Sequence, residues 1–342
     1  MKKFFLIAGI IVAAIATLVI SRMPPKRQIG KNIVFHITSN YDGSRIALSS
    51  MDKSKTRTWS LYLAKEDLNL APFNPNPEAI FDGDFTFGDS EDEFFYTGSQ
   101  NGKHVLWKGF FSTKNSEKIF ELNEHISYPY ILKNGDIYFI SRNLTTKDSS
   151  GWDWFRYSAK NGIEQISDEK YYYFRKPFLI NNSILGFMNR YSFSKVGSVD
   201  DPRYRKLYIE TLVLNKDPES EKILKALSEY VASSNSESEA SIQCDQKGAF
   251  CIAENFIAQK GKITFEHEFF IVNASGNKKL DTRLSWGESF TLSGDGKHLF
   301  LVGTHGARSE EYFLHKYSRN AAGDFVFVEE KDLSFIKNQS KS

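Results

Sequence analysis

The chain has 342 residues, with 44 Lys and Arg against 42 Asp and Glu, two cysteines and 15% aromatic residues. Residues 1–31 hold six of the basic residues and no acid, so the rest carries 38 basic against 42 acidic residues, formally −4. That balance excludes a nucleic-acid footprint on the body of the chain, and about 310 residues are ample for one large core.

Met1-Lys2-Lys3 is followed by Phe4 to Ile20, seventeen uncharged and mostly apolar residues. As a helix this stretch spans roughly 25 Å, the low end for crossing a bilayer. Ala14-Ile15-Ala16 offers a small-x-small cleavage site, but cutting there would leave Thr17 to Ile20 as a dangling apolar end. Residues 1–21 therefore read as an uncleaved transmembrane anchor helix, with a cleaved signal peptide as the alternative. The basic flanks on the two sides nearly cancel. The short N-terminal flank resembles a signal's n-region, so the body is expected to be exported. The predicted location is the bacterial inner membrane facing the periplasm, or secretion if the segment is cleaved. Residues 22–32, with Met23-Pro24-Pro25, read as a stiff spacer.

From residue 33 a hairpin signal recurs. His36–Leu48 turns at Asp42-Gly43, Tyr130–Ile140 at Asn134-Gly135, and Phe290–Val302 at Gly294-Asp295-Gly296. Weaker copies turn at Glu91-Asp92, Asn181-Asn182 and Lys247-Gly248. Turn markers at 43, 92, 135, 182, 248 and 296 are spaced 49, 43, 47, 66 and 48 residues apart. Such a period, with several short strands per unit, is the signature of propeller blades. A third, aromatic-rich strand is predicted in each unit: Trp59–Leu63, His104–Phe110, Trp152–Tyr157, Lys206–Leu212, Glu268–Val272 and Glu311–Tyr317. A fourth is predicted in most, at Glu78–Phe81, Glu117–Phe120, Ile163–Ile166 and Phe325–Val328. The expectation is an all-β, six-bladed β-propeller over 33–330, with a tail at 331–342.

The run Ser293-Gly294-Asp295-Gly296-Lys297-His298-Leu299-Phe300 resembles the TolB-type (WD-like) propeller repeat, also found in the propellers of prolyl-oligopeptidase relatives. TolB itself is similar only in its propeller, which follows an α/β domain, and the oligopeptidases append a hydrolase domain. The resemblance implies a fold and transfers no site.

The long fourth interval has its own explanation. Asp217-Pro218 opens a helix, Glu219 and Glu221 suit its positive end, and Ile223, Leu224, Leu227, Tyr230 and Val231 follow at helical spacing. An amphipathic insert is predicted over 217–232, its stripe packed on the parent blade or, alternatively, docking a partner. Cys244 and Cys251 flank the fifth turn; if Asp245 pairs with Phe250, the cysteines fall opposite each other and a disulfide is predicted. Two free thiols in a reducing compartment are the alternative.

Catalytic motifs fail one by one. Gly98–His104 is one residue short of a P-loop and lacks its Ser/Thr. His267-Glu268-Phe269-Phe270-Ile271 has Ile where a zinc protease needs its second His, and Gly287–Thr291 lacks the second Gly of a nucleophile elbow. The acids at Asp82, Asp84, Asp89, Glu91, Asp92 and Glu93 have no fixed ligand spacing and read as a solvated loop and turn. No catalytic residue, metal or cofactor is expected. What remains is a surface of loops carrying Arg142, Trp152, Tyr172, Arg175, Arg190, Tyr204, Trp286 and Arg308, residue types that dominate binding hot spots. The expected function is a non-catalytic, membrane-anchored scaffold or sensor that binds an envelope protein. The alternative is a glycan-binding or hydrolytic propeller that uses its axial channel.

Overall fold

The computed structural model describes residues 33–52, 58–65, 67–142, 151–167, 173–174, 178–180, 183–189, 208–212, 222–230 except 224 and 228, 241–258, 265–284, 286–306, 309 and 311–339. The predicted anchor and linker lie outside them. Among the described residues no helix is long and apolar enough to cross a membrane.

The first sheet consists of β1 (Ile33–Ser39), β2 (Arg45–Asp52), β3 (Trp59–Lys65) and β4 (Ala71–Pro72). The second holds β5 (Ile80–Phe87), β6 (Glu93–Gln100), β7 (Lys103–Phe110) and β8 (Ser116–Leu122). The third holds β9 (Ser127–Ile131), β10 (Ile137–Arg142), β11 (Trp152–Ser158) and β12 (Gly162–Gln165). The fourth contains β13 (Tyr173–Phe174), β14 (Phe178–Ile180), β15 (Ser183–Asn189) and β16 (Tyr208–Leu212). The fifth holds β17 (Ile242–Cys244), β18 (Cys251–Ala258), β19 (Phe265–Asn273) and β20 (Gly276–Lys279). The sixth holds β21 (Trp286–Leu292), β22 (His298–Thr304), β23 (Phe313–Arg319) and β24 (Phe325–Asp332).

Five of these sheets are antiparallel meanders, so the architecture is a β-propeller with five regular blades. The expectation of six alike blades is corrected at the fourth sheet. There β13 and β14 pair with the same edge of β15, while β16 takes the other edge. Among the described residues the sheet is three strands deep, with β13 and β14 together occupying one edge of β15.

The repeat motif has a hydrogen-bond reason. Arg45 N–H donates to Asn40 Oδ1 at 2.9 Å, Phe250 N–H to Asp245 Oδ1 at 3.0 Å, and His298 N–H to Ser293 Oγ at 2.9 Å. In each case a short polar side chain clamps the backbone five residues on. The turn between then needs a left-handed residue, and Gly43, Gly248 and Gly296 take φ of +72°, +69° and +72°. Neighbouring turns are tied together as well: Gln246 N–H donates to the Gly294 carbonyl and Asp295 N–H to the Tyr41 carbonyl, both at 2.9 Å.

Cys244 and Cys251 are register partners across β17 and β18 and are joined by a disulfide, as the spacing predicted. The inserted helix is present at 222–230. Ile223, Leu227 and Tyr230 bury one stripe against Ile180 of the fourth sheet and Ile242, Cys244, Cys251, Ala253 and Val272 of the fifth. Of the predicted stripe, these three residues pack on the propeller, and Leu224 and Val231 lie outside the described residues.

Two strand assignments change. Glu78–Phe81 was expected to be the outer strand of the first blade. Instead Ile80 and Phe81 open β5, the innermost strand of the second, while the outer position of the first goes to the short β4. The tail at 331–342 is not a free tail. β24 runs to Asp332, and a short helix, α1 (Ser334–Gln339), lays Ile336 and the preceding Leu333 against Ile33, Tyr62 and Leu68 of the first sheet and Tyr312 of the sixth.

Candidate functional site

The innermost strands β1, β5, β9, β17 and β21 surround a cavity of about 720 Å³. Its lining is polar for an interior, with His36, Asp84, Tyr128, Tyr130, Gln243, Gln246, Lys247 and Thr291 among the residues that form it.

A bulge in β5 decides where two nearby carboxylates go. The β5–β6 register shifts between Phe81 and Phe85. Gly83 sits in that shift at φ +108°, where an added Cβ would lie 2.5 Å from the Trp59 indole. A bulge breaks strict alternation and re-aims the side chains beside it. Asp84 belongs to the cavity: its Oδ2 accepts the Tyr128 N–H at 3.3 Å, and its Oδ1 lies 3.9 Å from His36 Nδ1. His36 in turn lies against Trp59, ring centroids 4.5 Å apart. Burial, reinforced by Tyr128 and Asp84, pushes the Tyr130 phenol far above its usual range, so it remains a neutral phenol in this wall.

Asp82 instead meets its own sheet. Ser99 Oγ donates to Asp82 Oδ1 at 2.6 Å, and His104 Nδ1 lies 2.8 Å from Asp82 Oδ2. Ser99 Oγ is also 3.2 Å from that same His104 nitrogen. These three residue types suggest a catalytic triad, but the connectivity is wrong. A triad needs the hydroxyl at Nε2 and the carboxylate at Nδ1, whereas here both meet Nδ1. His125, on the connection into β9, packs edge-on against His104 with ring centroids 5.0 Å apart. One ligand-type atom each from Asp82, His104 and His125 lies within 4.8 Å of the others. Among the described residues no hydrogen bond reaches His104 Nε2 or either ring nitrogen of His125. Burial holds the His125 imidazole below its ordinary pKa; Asp82 opposes this, while His104 and Arg142 reinforce it.

Arg142 links this cluster to the predicted binding surface. It ends β10 opposite Trp152, its register partner at the start of β11. Its guanidinium carbon lies 5.4 Å from the indole centroid, a cation–π contact. Of the eight predicted partner-binding residues, the structure brings these two together. Tyr172, Arg175, Arg190, Tyr204 and Arg308 lie outside the described residues. Trp286 opens β21, and its side chain also falls outside them.

A second histidine cluster occupies the sixth sheet. Glu330 Oε2 lies 2.7 Å from His315 Nε2 and 3.0 Å from His305 Nε2. The far nitrogens are occupied too: His315 Nδ1 is 3.3 Å from the Tyr317 hydroxyl, and His305 Nδ1 is 3.2 Å from the Arg283 carbonyl. His315 is fully buried. Burial lowers its pKa against the opposing pull of Glu330.

The overall shape matches known structures. TolB from Acinetobacter baumannii is 11% identical, and the match covers 88% of this chain and 65% of that one at a TM-score of 0.51. The chain therefore spans just under two thirds of TolB's length. AofleA from Arthrobotrys oligospora is 9% identical, with 90% of this chain and 88% of that one covered at a TM-score of 0.53. The chain has a TolB-like propeller fold. At these identities the likeness concerns the fold alone. No protein-family model matches the chain, and no curated protein matches it.

Sequence reasoning read the acids around Asp82 as a solvated loop and turn, saw Ser99 as part of a failed P-loop, and saw His104 there and at the start of a predicted strand. The cluster they form with His125 was missed because its members are 22 and 21 residues apart, on three elements. Its one local trace is the Asp82-Gly83-Asp84 run inside a strand, since glycine there marks a bulge.

Proposed function

We propose that this protein is an exported, membrane-tethered propeller that holds an envelope protein partner on the face carrying the β10–β11 connection. On this reading the irregular fourth sheet counts as a sixth blade around the axial cavity, and residues 1–21 tether the body to the membrane. The observation that carries the reading is Arg142 laid over Trp152. A planar cation held over a half-buried indole is a preformed anchor for a partner's carboxylates and aromatic side chains, and it needs no chemistry. The disulfide supports export, because such bonds persist in oxidising compartments. A tether raises the effective concentration of whatever the propeller holds beside the membrane.

Crosslinking in native membranes, followed by identification of the captured proteins, tests this. Reversing Arg142, Arg175 and Arg190 together to Glu is expected to abolish capture of the envelope protein while far-UV circular dichroism stays unchanged. Undiminished capture would move the binding surface elsewhere. A second reading, glycan binding or hydrolysis in the axial cavity, is favoured by one observation: the His36, Asp84, Tyr128 and Tyr130 wall. Turnover of a glycan or peptide by the purified protein would replace the scaffold reading with this one.

A further inference from the structure

We infer that Asp82, His104 and His125 form a divalent transition-metal site, one suited to zinc, on the edge between the second and third sheets. Nothing in the scaffold reading requires it.

Two imidazoles and one carboxylate are a borderline-soft N,N,O donor set, and zinc takes three such protein ligands while keeping further positions open. Their ligand atoms already lie within 4.8 Å of one another. Bonds of about 2.0–2.1 Å place tetrahedral donors about 3.4 Å apart, a contraction within reach of small side-chain rotations. All three residues are partly exposed, so a hydrated cation has a way in.

The donors are also available. Each histidine keeps a ring nitrogen that makes no hydrogen bond to the described residues. Ser99 Oγ donates to Asp82 and fixes the carboxylate, as outer partners of metal ligands do. The backbone contributes as well. The bulge at Gly83 separates Asp82 from the cavity-facing Asp84, and the packing of Trp59 on Gly83 holds it there.

The other histidine cluster supplies the internal control. Its imidazole nitrogens all face hydrogen-bond partners, so a cation would have to displace Glu330, Tyr317 or the Arg283 carbonyl.

The test uses the detergent-solubilised full chain, stripped with chelator and titrated with zinc chloride against a chromophoric zinc indicator. One zinc per chain is expected. His104→Gln combined with His125→Gln is expected to weaken binding at least about tenfold. Asp82→Asn, nearly the same shape and so a check on folding, is expected to weaken it as well, whereas His305→Gln leaves it unchanged. Cobalt(II) added to the stripped wild-type chain is expected to give a visible absorption band that the double variant lacks. Wild-type chain that takes up no zinc in this titration would overturn the site. So would a folded double variant that binds zinc like the wild type, or zinc that is lost from His305→Gln instead.

Discussion

The second and sixth sheets each gather two histidines and a carboxylate, and the two clusters are chemically opposite. In the sixth sheet His315 is sealed in the core and both its ring nitrogens have partners: Nε2 meets the Glu330 carboxylate at 2.7 Å and Nδ1 the Tyr317 hydroxyl at 3.3 Å. In the second, His104 and His125 touch each other at a partly exposed edge, and each keeps a ring nitrogen with no hydrogen bond among the described residues. One cluster uses histidine to satisfy a buried network; the other leaves histidine free to bind. The distinction lies in where each nitrogen points, since both clusters combine two imidazoles with one carboxylate.

The comparison breaks most directly at His315. His315→Ala is expected to cost roughly 2–4 kcal/mol in urea unfolding, because it opens a buried cavity and strands the Tyr317 hydroxyl. A loss under about 1 kcal/mol would mean the network is not structural.

Gly83→Ala comes next. A side chain at φ +108° pressed into the Trp59 ring is expected to destabilise the fold by roughly 2–3 kcal/mol. The same change displaces Asp82, so zinc affinity should fall with it. Unchanged affinity in a destabilised Gly83→Ala chain would show that the bulge does not position the carboxylate.

Acidification sharpens the contrast from the proton side. Burial lowers the folded-state pKa of His315, and of His298 in the same sheet, below the ordinary value of 6.5. Below about pH 6.5 the unfolded chain therefore binds more protons than the folded one. The stability these groups contribute is full above that pH and is lost as pH falls towards the folded values. Unfolding midpoints measured from pH 7.5 down to 5.5 should fall, with a shallower slope in His315→Gln. Equal slopes would remove His315 from the account.

The smallest effect is expected at His104. His104→Ala removes a partly exposed ring and the contacts of its Nδ1 with Asp82 and Ser99, worth about 0.5–1 kcal/mol without metal. A loss as large as that for His315→Ala would erase the difference between the clusters.

Much of the fold was legible because the turn chemistry repeats. Asp42-Gly43, Asn134-Gly135 and Asp295-Gly296 announce hairpins, and the Asp245–Phe250 pairing placed the two cysteines opposite each other. The strands misread or overlooked are those without apolar alternation. β4 is two exposed residues, and Gly276-Asn277-Lys278-Lys279 of β20 is exposed throughout. Glu78–Phe81 went to the wrong blade because the bulge at Gly83 splits β5 and makes its first half look like a separate short strand. The separation of β13 from β14 did have a sequence signal, Pro177, since proline interrupts a sheet ladder. As for the site, Arg142 and Trp152 were each legible as hot-spot types, whereas Asp82, His104 and His125 meet only through blade topology.

The clasp at the end of the chain sets an order of events. Every sheet is drawn from one continuous stretch of sequence, so no strand is exchanged between the first blade and the last. The seam between them is closed by Phe35 and Ile37 packed against Phe300 and Val302, by the Asp295 N–H donating to the Tyr41 carbonyl and the Ile37 N–H to Ser289 Oγ, with Leu333 and Ile336 as the final pieces. Those pieces are synthesised some 300 residues after β1. A growing chain can therefore fold blades one at a time but cannot lock the ring until its closing residues arrive.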